Sequence, residues 1–163
     1  MKIIVLSDTH RSLRDSYSII DACRHGCDLV IHLGDVVRDL EDLKLTYPEL
    51  NFVGVLGNND FVSHGYEREL VLDLDGVRTV ICHGHEYGVK RSLDQLLWHA
   101  QARASCLALF GHTHEPERVV KEGVTLFNPG TASIGQFGII HIEKGKIASA
   151  DTLVWDRFKG EIR

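Results

Sequence analysis

The sequence predicts an α/β protein, specifically a four-layer α/β/β/α sandwich in which two mixed β-sheets pack together and are flanked by helices. Three observations lead to this prediction. Short apolar runs alternate with helical patterns through residues 1–111. These runs show no polar alternation, which is typical of strands buried on both faces. After Pro116 the helical patterns stop, and one strand pattern follows another.

Strands and helices alternate in the first two thirds of the chain. The apolar runs rich in Val, Ile and Leu predict strands over residues 2–6, 29–34, 52–57, 79–82 and 107–111. Apolar residues at helical spacing predict helices over residues 12–25, 37–45 and 92–104. Because this alternation favours parallel connections, we expect these strands to form a largely parallel central sheet.

Two regions of the chain predict strands that pair with their neighbours. Residues 69–73 and 77–81 flank a turn at Asp75-Gly76 and predict a hairpin. The later strand patterns cover residues 117–120, 124–127, 138–143 and 146–154. We expect these later strands to form a second, mainly antiparallel sheet. The chain of 163 residues has no repeat and no linker-like segment, so a single domain over residues 1–163 is predicted.

The composition restricts the class of protein. A hydrophobic fraction of 44% and a charged fraction of 25% are typical of a folded globular chain. The net charge of −5 gives no general attraction to polyanions, so there is no strong nucleic-acid signal. The first apolar run is too short for a signal peptide or a membrane span, and the cysteines form no CxxC pair. We therefore expect a cytoplasmic protein that is not associated with a membrane.

Each of the five apolar runs is followed at once by residues that can bind a metal ion. The motifs are Asp8-Thr9-His10, Gly34-Asp35, Gly57-Asn58-Asn59-Asp60, His83-Gly84-His85 and Gly111-His112-Thr113-His114. Ligands of α/β proteins gather beyond the carboxyl ends of parallel strands, so we expect these motifs to converge. Residues i and i+2 of an extended chain point the same way, which would let Asp8 and His10 face one ion.

Taken singly, several of these motifs have simpler explanations. Asp8 would also serve as a cap for the following helix, and the Gly34-Asp35 and Gly57-Asn58 pairs are ordinary turn signals. The two histidine pairs are more specific, because packing rarely needs a pair of histidines at the end of a buried strand. A set of oxygen and imidazole donors without cysteine favours Mn, Fe, Co, Ni or Zn over Ca or Mg.

In this order, the five motifs resemble the signature of the calcineurin-like metallophosphoesterases. The following Asn128-Pro129-Gly130-Thr131 segment resembles one found in the small YfcE-type phosphodiesterases of that superfamily. The resemblance implies a binuclear metal-dependent phosphodiesterase that hydrolyses a small phosphodiester substrate through a metal-bridging hydroxide. It implies two divalent transition metal ions as cofactors, with Mn expected first and Ni, Co, Fe or Zn as alternatives.

The resemblance also implies a role for individual residues. One metal is expected on Asp8, His10, Asp35 and His114, and the second on Asp35, Asn58, His83 and His112, with Asp35 as the bridge. Catalytic roles are expected for Asp35, Asn58, Asn59, Asp60, Arg11 and His85, with Asp60 orienting its neighbours and Arg11 and His85 near the substrate. Asn59 occupies a position where many members have a histidine that protonates the leaving group, and an amide cannot act as a general acid.

Two other functions are compatible with these motifs. A non-catalytic scaffold with the metallophosphoesterase fold, like the metallophosphoesterase-like subunit of retromer, is the main alternative, but the complete ligand set favours an enzyme. A nuclease of the double-strand-break-repair type shares the motifs, yet those proteins carry capping and DNA-binding regions for which this acidic chain has no room. The predicted C-terminal sheet offers an edge or a face through which a homodimer could form.

Overall fold

The computed structural model of the chain describes residues 1–62 and 65–163. Its strands are β1 (Lys2–Leu6), β2 (Leu29–His32), β3 (Phe52–Gly54), β4 (Glu69–Leu74), β5 (Val77–Cys82), β6 (Leu107–Leu109), β7 (Glu117–Lys121), β8 (Val124–Asn128), β9 (Gln136–Glu143), β10 (Lys146–Asp156) and β11 (Glu161–Ile162). Its α-helices are α1 (Arg14–Cys23), α2 (Val37–Thr46) and α3 (Asp94–Ala102). Within these described ranges, no helix is both long enough and apolar enough to cross a membrane.

The predicted helices and strands are all found, although several bounds differ. The strands β2, β3 and β6 end before their predicted limits, because the chain leaves the sheet where the polar motifs begin. The short strand β11 was not predicted. It pairs with the end of β10, where Trp155 lies opposite Ile162.

The strands form two sheets of mixed direction. Sheet one has the order β11-β10-β9-β1-β2-β3, and sheet two has the order β4-β5-β6-β8-β7. In sheet one, β1 is parallel to β2 and β2 to β3, whereas β9 is antiparallel to β1. In sheet two, β5, β6 and β8 are parallel, and β4 and β7 pair antiparallel at the two edges.

The predicted assignment of strands to sheets was wrong. The early strands do not share one parallel sheet, since β1 to β3 lie in sheet one and β5 and β6 lie in sheet two. The later strands do not form a sheet of their own either, because β9 and β10 extend sheet one while β7 and β8 extend sheet two. An apolar pattern shows that a strand is buried but does not identify its neighbours. Here the later strands cover edges that the parallel strands would otherwise leave unpaired.

The apolar core lies in the three interfaces between the four layers of the sandwich. Between the two sheets, a cluster that includes Ile31, Leu109 and Phe127 is fully buried. The outer face of sheet one packs against α1 and α2, and the outer face of sheet two packs against α3. The predicted α/β/β/α architecture with two mixed sheets is therefore confirmed.

Strand β1 shows how the sequence fixes the position of the first polar motif. Ile3 and Val5 face sheet two, while Ile4 and Leu6 face the α1 side, and all four side chains are fully buried. Burial of a side chain of this size typically contributes about 1.5–3 kcal/mol. A shift of β1 along its neighbours would therefore be costly, and the residues that follow Leu6 are held at the edge where the two sheets meet.

Candidate metal centre

The predicted motifs meet at one end of the sandwich, where strands of both sheets finish. The ring Nδ1 of His83, which follows β5 of sheet two, lies 2.7 Å from the carbonyl oxygen of Leu33, which follows β2 of sheet one. The backbone N–H of His112, beyond β6 of sheet two, donates to Oδ2 of Asp8, beyond β1 of sheet one, at 3.1 Å. The expected convergence at strand ends is thus present, but the strands come from two sheets.

Glycines in these motifs allow the chain segments to approach closely. A Cβ atom on Gly57 would lie 2.0 Å from Oδ1 of Asp35, and a Cβ atom on Gly111 would lie 2.0 Å from the Ser7 hydroxyl. Neither contact is possible for real atoms. The glycines that precede Asn58 and His112 are therefore required for the carboxylates of Asp8 and Asp35 to reach the shared edge.

The backbone is strained at several predicted ligands. Asp8, His10, Asp35, His112 and His114 all have positive φ angles, between 46° and 67°. Residues other than glycine rarely adopt this left-handed conformation, and each instance costs on the order of 1 kcal/mol. Such strain concentrates at functional sites, where the surrounding structure holds side chains in positions that a relaxed chain would not give them.

The Asp8 carboxylate is fully buried, and only one of its two oxygen atoms accepts hydrogen bonds. Its Oδ2 atom accepts hydrogen bonds from the Ser7 hydroxyl at 2.5 Å and from the His112 N–H at 3.1 Å. Its Oδ1 atom is buried and has no hydrogen-bond partner among the described residues. A buried ionised oxygen is costly unless a cation or donor faces it, so the position of this atom suits a bound cation.

The first group of donor atoms consists of Asp8, His10 and His114. Oδ1 of Asp8 lies 3.1 Å from Nε2 of His114 and 3.7 Å from Nε2 of His10, and the two Nε2 atoms are 3.2 Å apart. Metal–ligand bonds of about 2.1 Å place neighbouring ligand atoms roughly 3–3.5 Å from one another. The three atoms therefore have the spacing of ligands around one ion, and together they form a metal-competent group.

The second group of donor atoms surrounds His83. Its Nδ1 atom donates to the Leu33 carbonyl, which leaves the lone pair of Nε2 free to bind a metal. That Nε2 atom lies 3.1 Å from Oδ1 of Asn58, 3.6 Å from Oδ2 of Asp35 and 3.9 Å from Oδ1 of Asp8. Asp8 therefore belongs to both metal-competent groups, whereas Asp35 belongs to one of them.

His112 and His85 complete the histidine cluster beside His83. The ring centroid of His83 lies 5.1 Å from that of His112 and 5.4 Å from that of His85. Burial and the neighbouring His83 lower the pKa of His112 to about 4, and the same two causes lower the pKa of His85. Both rings are therefore neutral at pH 7, which is the form of imidazole that binds metals.

Asn59 contacts the Asp35 carboxylate. Its backbone N–H donates to Oδ1 at 2.9 Å, and its side-chain amide donates to Oδ2 at 2.6 Å. Burial alone would raise the pKa of Asp35, but His83 and the Asn59 hydrogen bonds outweigh it and lower the pKa below its usual value. Asn59 thus stabilises the ionised form of a predicted ligand, although it has no proton to give to a leaving group.

Asp60 lies behind the predicted ligands and fixes the loops that carry them. Its Oδ2 atom accepts from the backbone N–H of Gly57 at 2.7 Å and of Asp35 at 3.1 Å, and its Oδ1 atom accepts from Val37 at 2.7 Å. These bonds join the end of the β3 segment to the start of α2. They are consistent with the orienting role expected for Asp60.

Arg11 is not brought into this cluster. Its backbone N–H donates to Oδ2 of Asp39 at 2.8 Å, but its exposed guanidinium makes no hydrogen bond or ion pair with any described residue. Its expected role near a phosphate group remains a prediction.

A buried chain of hydrogen bonds around His32 was not foreseen from the sequence. The N–H of Gly34 donates to Nδ1 of His32 at 3.2 Å, so Nε2 carries the ring proton and donates to the Thr9 hydroxyl at 3.1 Å. Thr9 in turn donates to Oδ2 of Asp39 at 2.7 Å. This chain joins the loops that carry Asp8 and Asp35. Burial lowers the pKa of His32 to about 4, so its ring is neutral at pH 7.

The Asn128 segment holds the opposite side of the site. The buried Asn128 amide donates to the Gly111 carbonyl and to the Thr113 hydroxyl, both at 3.0 Å. The Thr131 hydroxyl donates to the backbone carbonyl of Asp8 at 2.7 Å. The sequence indicated this segment only through its family resemblance. Hydrogen bonds between residues so distant in sequence have no signal in a local pattern.

Comparison with known proteins identifies the family. A family model described as a calcineurin-like phosphoesterase superfamily domain matches residues 1–145. The chain therefore belongs to this superfamily. It is 29% identical over 132 residues to the probable metallophosphoesterase YsnB of Bacillus subtilis, covering 80% of this chain and 75% of the relative. It is 26% identical over 168 residues to a phosphodiesterase of Methanocaldococcus jannaschii, covering 88% and 95%.

Solved structures share the fold. A Streptococcus pneumoniae protein described as a conserved uncharacterized protein and predicted phosphoesterase superposes with a TM-score of 0.78 at 26% identity, covering 94% of this chain and 88% of that chain. Wild-type Vps29 of Entamoeba histolytica in complex with Zn²⁺ gives a TM-score of 0.80 at 19% identity, covering 100% and 96%. The latter likeness concerns the fold alone.

We expect the stability of the metal-free protein to depend on pH through His32. The pKa of this histidine is about 4 in the folded chain and about 6.5 in an unfolded chain. The unfolded state therefore binds the proton first, so the contribution of the neutral ring is complete above pH 6.5 or so and is lost as the pH falls towards 4. Within this window the native protein should lose up to about 1.4 kcal/mol per pH unit more than a His32→Gln variant. Urea unfolding in the presence of chelator measures how the free energy of unfolding of each protein changes with pH. An equal change in both proteins would show that His32 does not have a lowered pKa in the folded chain.

Proposed function

We propose that this member of the calcineurin-like phosphoesterase superfamily is a phosphodiesterase that uses two divalent metal ions. The observation that carries the proposal is Oδ1 of Asp8, a buried carboxylate oxygen without a hydrogen-bond partner, which lies 3.1–3.9 Å from Nε2 atoms of three histidines. A structural role would leave this oxygen uncompensated. A site for cations explains why a buried carboxylate oxygen without a hydrogen-bond partner faces three imidazole nitrogens.

The chain offers two sets of donors to the proposed ions. The family resemblance assigns one ion to Asp8, His10, Asp35 and His114, and the other to Asp35, Asn58, His83 and His112. In the structure, the donor atoms that lie close together are those of Asp8, His10 and His114 in one group and of Asp8, Asp35 and His83 in the other. When bound, such ions supply positive charge that polarises a phosphate ester and makes a water molecule more acidic. The mixed nitrogen and oxygen donors suit Mn, Ni, Co, Fe and Zn better than Ca or Mg, and the family resemblance puts Mn first among them.

The remaining residues of the site position these donors. Asp60 holds the loops of Asp35 and Asn58 through three backbone hydrogen bonds, and Asn59 keeps the Asp35 carboxylate ionised. His85 lies beside the His83 and His112 rings, and we expect it to approach a bound substrate. Burial and the neighbouring His83 lower the pKa of His85, so its neutral ring adds no positive charge beside the proposed ions at pH 7.

A diester is the preferred substrate class for two reasons. Asn59 cannot protonate a leaving group, so the site depends on esters whose leaving group departs without a proton from that position. The site also opens to solvent, since the side chains of His10 and His114 are 33% and 45% exposed, which leaves space for two ester groups. A relative of similar length carries the name phosphodiesterase.

A non-catalytic scaffold remains the alternative function. The likeness to Vps29 concerns the fold and does not distinguish the two. The strained ligands and the unpartnered Asp8 oxygen favour catalysis, because an interaction surface has no need for either feature.

We expect metal-dependent hydrolysis of bis(p-nitrophenyl) phosphate. Protein treated with chelator should be inactive and should regain activity with Mn²⁺, Ni²⁺ or Co²⁺. Asp8→Asn and Asp35→Asn should each lower kcat/KM by more than the roughly 10–100-fold that follows loss of an outer partner of a metal site. Asp151→Asn, the same substitution at an exposed position on β10, is the matched control and should retain native activity. Absence of metal-stimulated turnover, or full activity of both site variants, would refute the proposal.

We also expect the missing acid at Asn59 to determine which leaving groups are accepted. An Asn59→His variant should accelerate hydrolysis of diesters with poor leaving groups far more than that of p-nitrophenyl esters, because general acid catalysis matters most for basic leaving groups. Asn59→Ala removes the same hydrogen bond to Asp35 without adding an acid, so it should change kcat/KM by the same factor for every substrate. Measuring kcat/KM across a leaving-group series distinguishes the two variants. Equal gains for every substrate with Asn59→His would show that the leaving-group proton has another source.

A further inference from the structure

A small hollow opens beside the proposed metal centre, and the two share a wall. The hollow has a volume of about 180 Å³. Its lining residues come from the start of α2 and from the loop after β3: Val36, Val37, Arg38, Asn59, Phe61 and Val62. Complete pockets for small molecules usually measure about 300–1,000 Å³, so this hollow has the size for one group of a larger ligand.

Asn59 connects the hollow to the metal centre. It lines the hollow, while its backbone N–H and side-chain amide bond both oxygens of the Asp35 carboxylate at 2.9 Å and 2.6 Å. A phosphate group held beside Asp35 would therefore place one of its ester groups next to the hollow.

The surface of the hollow is mostly apolar, and its polar side chains are those of Arg38, Asn59 and Asp60. Asp60 also borders it, but both of its carboxylate oxygens are already engaged by backbone N–H groups. Phe61 and Val62 are adjacent in sequence and are 92% and 62% exposed. A single exposed apolar side chain is ordinary, but two neighbours at the wall of a polar site indicate a surface that is covered when a ligand binds.

Arg38 adds a positive charge and hydrogen-bond donors to the wall of the hollow. It is exposed, and its guanidinium makes no hydrogen bond or ion pair with any described residue. A planar guanidinium and a phenyl ring both stack on planar aromatic groups, and the guanidinium can in addition donate hydrogen bonds to ring nitrogen or oxygen atoms. An aliphatic ester group would gain from neither form of contact.

We propose that Phe61 and Arg38 form a subsite for a planar aromatic ring carried by an ester group of the phosphodiester substrate. The inference rests on the proposed function, because it takes the metal centre as the place where the phosphate binds. The subsite selects between diesters by the contacts of one ester group and takes no part in the reaction itself.

Binding of phenylphosphonate and methylphosphonate tests the subsite without hydrolysis. These ligands share the phosphonate group and differ in the ring, and their carbon–phosphorus bond is not an ester. We expect the Mn-loaded native protein to bind phenylphosphonate at least about fivefold more tightly by calorimetry, the lower end of what a stacking side chain contributes. Phe61→Ala should remove this preference, and Phe61→Leu, which is apolar but not aromatic, should retain only part of it.

Phe158→Ala is the matched control, because Phe158 is 96% exposed and lines a different hollow. It should keep the native preference. The inference is overturned if the native protein shows no preference for the phenyl ligand, or if Phe61→Ala keeps that preference. The outcome is separable from that of the proposed function. If the protein hydrolyses diesters but binds both phosphonates equally, only the subsite is refuted. If the native protein prefers phenylphosphonate, Phe61→Ala loses this preference, and no diester is hydrolysed, the subsite is supported and the phosphodiesterase activity is refuted.

Discussion

The burial of the Asp8 carboxylate is the constraint on which the rest of this site depends. The side chain has no exposure to solvent, and its Oδ2 atom is held by Ser7 and by the backbone of His112. Its Oδ1 atom is thereby directed at the histidines of both donor groups without a hydrogen bond from any described residue. Removing an ionised oxygen from water costs several kcal/mol unless a nearby positive charge offsets it. Bound cations would provide that charge, and burial together with His83 lowers the pKa of the nearby His112, so that its ring is in the neutral form that binds metals.

The fold supplies this arrangement by bringing the ends of strands from two sheets to one edge. Apolar residues on both faces of β1 fix its position between the second sheet and α1, which determines where Asp8 emerges. Gly111 leaves space for the chain after β6 to contact Ser7 and Asp8. The left-handed backbone at five predicted ligands shows that tertiary packing, and not local preference, sets their positions. Hydrogen bonds from Asn128, Thr131 and Asp60 then hold the loops in place.

The sequence predicted those features that depend on local patterns. The strands, the helices and the order of the ligand motifs follow from apolar runs and from the residues directly after them. The division of the strands between two sheets could not be predicted, because an apolar run does not identify its neighbours. The same limit applies to His32, which resembles an ordinary strand residue yet links Gly34 to Thr9. The family resemblance of the motifs implied Asp35 as the bridge, and only the geometry shows that Asp8 borders both donor groups.

Whether the buried Asp8 carboxylate holds cations can be tested by counting the metal ions bound per chain. Protein that has been equilibrated with Mn²⁺ and then freed of unbound metal can be measured by elemental analysis together with its concentration. We expect two ions per native chain, two in the exposed Asp151→Asn control, and at most one in Asp8→Asn, whose amide cannot supply the buried negative charge. A native protein that retains no metal, or an Asp8→Asn variant that retains as much as the native chain, would show that Asp8 does not hold cations at this site.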